Sequence, residues 1–133
     1  MTVNPPAADP AAVCVAYLAA FATGDPELVL AHVADGFVNE HTSALGEGCV
    51  GIAEYRRRLP LFMASMPELR YEIEDVVSTR NRVMVAYTLR ARIDDTDVSV
   101  RGVMRFLVDA DGLIAQRTDY WDGQVFLRQI GRS

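Results

Sequence analysis

The order of patterns along this chain predicts an α+β domain, with helices first and a curved, mostly antiparallel sheet after them. Up to about residue 66 apolar residues recur at helical spacing, and Asp-Pro pairs stand where helices would begin. From Tyr71 onward the period changes to alternation, and the alternating runs are separated by short turn segments. A chain of 133 residues fits one core and leaves little for a second.

Residues 1–9, "MTVNPPAAD", hold two prolines and little to bury, so a flexible N-terminal tail is expected there and a single domain over 10–133. Asp9-Pro10 offers an N-cap acceptor followed by a residue whose missing N–H costs nothing in a first turn. The run that follows carries Val13, Tyr17, Ala20 and Phe21 on one helical side and is closed by Gly24. Asp25-Pro26 repeats the device and opens a second helix through "ELVLAHV". "FVNEHTSALGEGCVG" is a short extended piece running into turns, and it delivers His41 to a loop or strand edge. "IAEYRRRLPLFMASM" reads as a third helix, with Pro60 at a kink or break and Pro67 ending it.

In "YEIEDVV", alternation puts Tyr71, Ile73, Asp75 and Val77 together. "VMVAYTLRARI" groups Val83, Val85, Tyr87, Leu89, Ala91 and Ile93, and "VSVRGVMRFLV" groups Val98, Val100, Gly102, Met104, Phe106 and Val108. "DDTD" and "DADG" are the turns between strands, and "LIAQRTDYW" returns along the sheet. "VFLRQIG" fits a short terminal helix or strand.

The net charge of −5, from 13 basic and 18 acidic residues, disfavours nucleic acid or an anionic membrane as partner. The basic cluster Arg56-Arg57-Arg58 reads as the wet face of a helix. No apolar run reaches the length of a membrane span, and the N-terminus lacks the pattern of an export signal, so a cytoplasmic protein is expected. Cys14, Cys49 and the two histidines have no spacing suited to a metal site or redox pair.

Asp119, in "RTDYWDG", is the leading candidate for chemistry. Alternation places it with Arg117 and Trp121 and with Leu113 and Ala115, a face on which a carboxylate is desolvated and becomes useful as an acid or base. A structural ion pair or a surface position are the alternatives. His41 can serve as a pocket base or donor, or be a loop histidine bonded to a carbonyl. Tyr17 shares the helical side of Val13 and Phe21 and is either core support or a pocket donor. Phe37, Met63, Met66, Phe106 and Trp121 are candidates for lining an apolar substrate pocket, and each is equally ordinary core material.

Over about residues 11–130 the chain resembles the nuclear transport factor two-like superfamily, and within it the SnoaL-like polyketide cyclases. The segments that carry the likeness are "AAFATGDPELVLAHVADGFV", "GEGCVGIAEYRRRL", "MPELRYEIEDVVSTRNRVMVAYTLRA" and "VMRFLVDADGLIAQRTDYWD", in that order. The resemblance implies a cone-like domain, three helices closing a strongly curved sheet around an apolar pocket, commonly a homodimer, and no metal or organic cofactor. "YLAAFATGD" is similar to the first-helix segment of ketosteroid isomerases and puts Tyr17 at their oxyanion-hole tyrosine. Their second donor, an acid just before a segment like "VMRF", is replaced here by Gly102, which disfavours a steroid isomerase of the usual pattern. Against the cyclases, Asp119 matches the acid/base position. The epoxide hydrolases have a corresponding acid, but "NRVMVAYTL" offers no match to their Arg-x-Asp pair. The resemblance therefore implies a cofactor-free acid/base enzyme on an apolar carbonyl compound, a cyclase, isomerase or dehydratase. The alternatives are an epoxide hydrolase and a non-catalytic protein that binds a hydrophobic small molecule.

Overall fold

The computed structural model describes residues 9–131, and the expected tail falls almost wholly outside that range. Helix α1 (Pro10–Ala20) is capped as its sequence requires, the Asp9 carboxylate accepting from the Ala11 N–H. It runs into a 3-10 turn (Phe21–Thr23) that ends at Gly24, whose φ of 75° is the left-handed conformation a glycine adopts without strain. Asp25 caps the short α2 (Pro26–Leu30) in the same way. Next come β1 (Val33–His41) and β2 (Cys49–Val50), then α3 (Ile52–Ser65), which continues through Pro60. Strands β3 (Arg70–Thr79), β4 (Arg82–Ile93), β5 (Thr96–Val108) and β6 (Ile114–Trp121) follow, and α4 (Gly123–Gln129) closes the order.

The six strands form one sheet in the order β2-β1-β6-β5-β4-β3. β1 runs parallel to β6, and the remaining neighbours are antiparallel. The expectation of a cone built on a strongly curved sheet is thereby corrected. The sheet is mixed and open, neither strongly curved nor closed, with β2 and β3 as separate edges. The third helix also lies between strands in the chain and is not part of an N-terminal block. Alternation reports which face of a strand is buried; it carries no information on whether distant edges meet, and a two-residue β2 leaves little backbone with which to close a barrel.

Two bulges shift the faces that simple alternation assigns. In β3 the register moves between Ile73 and Asp75, so Val76 pairs with Val85 while Asp75 and Val77 turn outward. In β6 the pairing with β5 moves between Val108 and Leu107, and it is Ile114, fully buried, that points inward in place of Leu113 and Ala115. The inner faces of β4 and β5 follow the sequence pattern, with Val83, Val85, Tyr87, Val98, Val100, Met104, Phe106 and Val108 all buried. On this side of the sheet α1 packs over β3, β4 and β5, and α3 over β1 and β2. No helix among the described residues is long and apolar enough to cross a membrane.

Candidate functional site

A cavity of about 330 Å³ lies over the inner face of β1 and β6. Leu59, Phe62, Met66, Leu89, Val100 and Phe126 give it apolar walls, and His41, Tyr55, Tyr71, Tyr87, Arg117 and Asp119 supply its polar side. Apolar walls with a few convergent polar groups are the usual make-up of a small-molecule site. The register explains the polar cluster: His41 is the β1 partner of Asp119, and Asn39 is the partner of Arg117, so four polar side chains are presented on one stretch of two adjacent strands.

Asp119 and Arg117 are both buried, and Arg117 Nη2 donates to Asp119 Oδ2 at 3.1 Å. The second carboxylate oxygen, Oδ1, accepts from the Tyr87 hydroxyl at 2.5 Å. Arg117 Nη1 donates to the Tyr17 hydroxyl at 2.9 Å, and Tyr17 in turn lies 2.5 Å from the Tyr55 hydroxyl. Burial by itself would favour loss of the Arg117 proton, but the oxygens of Tyr17, Tyr71, Asp119 and Tyr55 around it more than offset that and hold the guanidinium charged. Burial raises the Tyr55, Tyr71 and Tyr87 hydroxyls above the usual phenol range, with the Asp119 charge adding to the effect at Tyr87. These phenols are neutral donors throughout the physiological range.

His41 is a donor too. Its Nδ1 accepts from Trp121 Nε1–H at 3.2 Å, so the neutral ring carries its proton on Nε2. Burial and then Arg117 push its pKa down to about 4, against the opposing pull of Asp119, whose Oδ2 is 3.8 Å from Nδ1. The imidazole is thus neutral near pH 7, and its approach to Asp119 is not a charged pair. The segment after His41 packs down on it: a Cβ on Gly46 would sit 2.4 Å from the His41 Cβ, and Thr42 donates both its N–H and its hydroxyl to the Asp119 carbonyl.

Of the residues that the sequence singles out, Asp119, His41, Met66 and Trp121 line the cavity. Tyr17, Phe37, Met63 and Phe106 are not among its lining residues. Tyr17 is fully buried and reaches the site only through Arg117 and Tyr55. Phe37 packs against Tyr55 at a tilt of 47° with centroids 4.8 Å apart, and Phe106 meets Tyr17 edge-on at 5.9 Å, so both support phenols from behind. Met63 packs half-buried against the core. Alternation places Phe106 on the inner face, as found, but Tyr17 of α1 covers it there, and Tyr55 of α3 covers Phe37.

Sequence reasoning passed over Tyr55, Tyr71, Tyr87 and Asn39. Tyr87 had a usable signal, a phenol in the middle of an otherwise aliphatic inner face. Asn39, 8 % exposed, has an Oδ1 without a hydrogen-bond partner, as has Arg117 Nε, and neither atom reaches the accessible surface. Among the described residues no group of three or more His, Cys, Asp or Glu side chains is arranged to hold a metal ion.

A family profile described as "SnoaL-like domain" matches residues 15–117. The chain belongs to the SnoaL-like family. Its matched stretch ends just short of Asp119, so the match establishes the scaffold and says nothing of the acid. Solved structures agree on this SnoaL-like fold. A protein with a ketosteroid isomerase-like fold from Catenulispora acidiphila DSM 44928, in complex with trimethylamine, superposes with a TM-score of 0.81 at 15 % identity, covering 91 % of this chain and 93 % of the other. A proposed SnoaL-like polyketide cyclase from Shewanella denitrificans OS-217 gives 0.77 at 17 % identity, covering 91 % and 96 %. An M. tuberculosis epoxide hydrolase of the LEH-like type gives 0.76 at 22 % identity, covering 91 % of each chain. Among curated proteins, none matches the sequence. At these identities the likeness of the SnoaL-like domain to solved structures is one of fold, and fold alone does not choose a reaction.

Proposed function

We propose that this SnoaL-like domain is a cofactor-free acid/base enzyme acting on a small apolar carbonyl compound, with cyclase, isomerase or dehydratase chemistry in that order of preference. The supporting observation is the Asp119 carboxylate at the cavity, held by a donor on each oxygen and surrounded by neutral O–H and N–H groups. An ionised carboxylate has about four acceptor sites, so the contacts from Tyr87 and Arg117 leave room for a proton from substrate carbon. Charge that develops on the substrate oxygen would meet donors already in place, the His41 Nε2–H and the Tyr55 and Tyr71 hydroxyls. In this reading the donor role expected of Tyr17 passes to Tyr55, which Tyr17 and Arg117 back up.

The test is Asp119→Asn, assayed on whichever substrate a screen of enolisable ketones, esters and polyketides turns up. The variant keeps shape and loses the proton acceptor, so kcat should fall by about 10²-fold or more with ligand affinity little changed, while the unfolding midpoint drops because buried Arg117 is left with a neutral partner. Asp122→Asn is the control, because Asp122 is exposed and only caps α4 by accepting from the Gln124 N–H, a contact asparagine retains. Equal turnover in both variants would remove Asp119 as the proton-transfer group, and equally slow, background-level rates in wild type and both variants would leave a binding protein.

One observation favours a second reading, hydrolysis of an epoxide. The arginine that the β4 sequence lacks is supplied by Arg117 on β6, directly beside the acid. Epoxides therefore belong in the same screen, with solvent ¹⁸O in the product as the deciding readout. We also propose that the outer sheet face pairs two copies of the chain, since Val77, Met84 and Tyr120 are exposed there beside half-buried Val103 and Leu107.

A further inference from the structure

Tyr87 and Asp119 stand on β4 and β6, with the whole of β5 between them. Across that strand Tyr87 pairs with Gly102 and Gly102 with Trp121, while Asp119 pairs with Met104. The phenol must therefore cross β5 near Gly102 to make its 2.5 Å contact with Oδ1. Gly102 leaves the way open. A Cβ built there would lie 2.5 Å from the Tyr87 hydroxyl oxygen, 2.7 Å from its Cζ and 2.7 Å from the Tyr120 carbonyl oxygen.

Glycine in a strand interior costs roughly 0.5–1 kcal/mol against alanine, so its presence there needs a reason. Backbone conformation is not that reason, because Gly102 is not among the glycines with positive φ. Close approach is. The position that would hold a side chain in the middle of β5 is filled instead by the end of Tyr87. Ring packing alone would not need the hydroxyl: Tyr87 meets Tyr71 edge-on with centroids 5.3 Å apart, a contact phenylalanine would keep.

We propose that Tyr87, reaching through the gap at Gly102, is a positioning residue that sets the plane of the Asp119 carboxylate for proton transfer. This rests on Asp119 as the proton-transfer group. Arg117 holds Oδ2 and Tyr87 holds Oδ1, so the carboxylate is fixed at two points and cannot rotate about its Cβ–Cγ bond without breaking one of them.

The experiment has a substrate-free arm and a turnover arm. With tyrosine labelled in its ring, the hydroxyl proton shared between Tyr87 and Asp119 should appear as a strongly downfield, slowly exchanging proton NMR signal. Tyr87→Phe assigns it by deleting it, and both Asp119→Asn and Gly102→Ala should abolish it or return it to the ordinary phenol range. In turnover, Tyr87→Phe and Gly102→Ala should each lower kcat by about 10- to 10²-fold with KM little changed. The double variant should be no worse than Tyr87→Phe, because both changes break one contact. An unchanged downfield signal in Gly102→Ala would overturn the role of the gap. A kcat within twofold of wild type in Tyr87→Phe, beside a large loss in Asp119→Asn, would overturn positioning. Losses that add in the double variant would assign the alanine effect to the Tyr120 carbonyl instead. If Gly102→Ala does not fold, Tyr87→Phe carries both arms. If Asp119→Asn itself leaves turnover intact, the acid/base reading fails and the positioning role falls with it, whereas the signal still reports separately whether the contact exists.

Discussion

Arg117–Asp119 and Arg101–Glu74 are both arginine–carboxylate pairs on one sheet, and they face opposite sides of it. The outer pair has the better geometry. Arg101 donates through Nε and Nη2 to both Glu74 oxygens at 2.8 and 2.9 Å, while the inner pair makes one contact at 3.1 Å. Yet the outer side chains are 76 % and 33 % exposed, and the inner ones 5 % and 6 %. Water screens the first pair and leaves either member comfortable alone; in the second no water helps, and beyond a few neutral phenols only the partner's opposite charge compensates. Surroundings therefore outrank bond geometry in deciding which pair the fold depends on.

The largest expected effect comes from breaking the inner pair on one side. Arg117→Met leaves Asp119 buried without its cation and should lower stability by about 3–5 kcal/mol in urea denaturation. Replacing both, Arg117→Met with Asp119→Leu, should recover most of that loss. A single-variant loss below about 1 kcal/mol would mean that the two pairs do not differ in kind.

His41 sharpens the contrast through pH. Its folded pKa of about 4 lies below the 6.5 of an unperturbed histidine, so on acidification the unfolded chain takes up its proton first. The stability His41 contributes is fully present above pH 6.5 and is lost as pH falls through that value toward about 4. His41→Gln keeps a possible acceptor for Trp121 without the titration. Its unfolding midpoint should fall less steeply than that of wild type over the same interval, and parallel curves would contradict the burial of a neutral ring.

The outer face offers a gentler change. Val103→Arg places charge in the proposed pairing surface and should shift the light-scattering mass at micromolar concentration from two chains to one, with the cavity unaltered. A wild-type monomer would end the pairing proposal. The smallest effect belongs to the outer ion pair. Glu74→Gln should leave the thermal midpoint within measurement scatter, and any difference at low salt should vanish at high salt. A drop as large as that of Arg117→Met would erase the contrast between the two faces.

Several parts of this molecule were written locally. Asp9-Pro10 and Asp25-Pro26 are complete helix-start signals because caps involve neighbours in sequence, and the structure shows both carboxylates accepting as those signals demand. The inner faces of β4 and β5 were equally legible, since alternation is a local property of an extended chain. The bulges in β3 and β6 were not, because an extra residue in one strand is visible only against its partner. Sheet closure is not a local property either: the distance between β2 and β3 depends on every pairing between them, and here it leaves the sheet open where the sequence leads one to expect a cone.

The site divides along the same line. Sequence by itself determined that Asp119, Arg117 and Trp121 share one face of a strand, and that Tyr17 faces inward from the first helix. Only the tertiary structure decided what they meet. It brought the parallel β1 beside β6 and so set His41 opposite Asp119, it drew the Tyr87 hydroxyl across β5 to the carboxylate, and it placed Tyr55 between Tyr17 and the cavity. Gly102 shows why. Read along the chain it is a missing donor; in the fold it is the space through which a donor from another strand arrives. A side chain's direction follows from backbone geometry within a few residues, but its partner lies wherever strand order and helix docking put it, and those are set by the packing of the whole core.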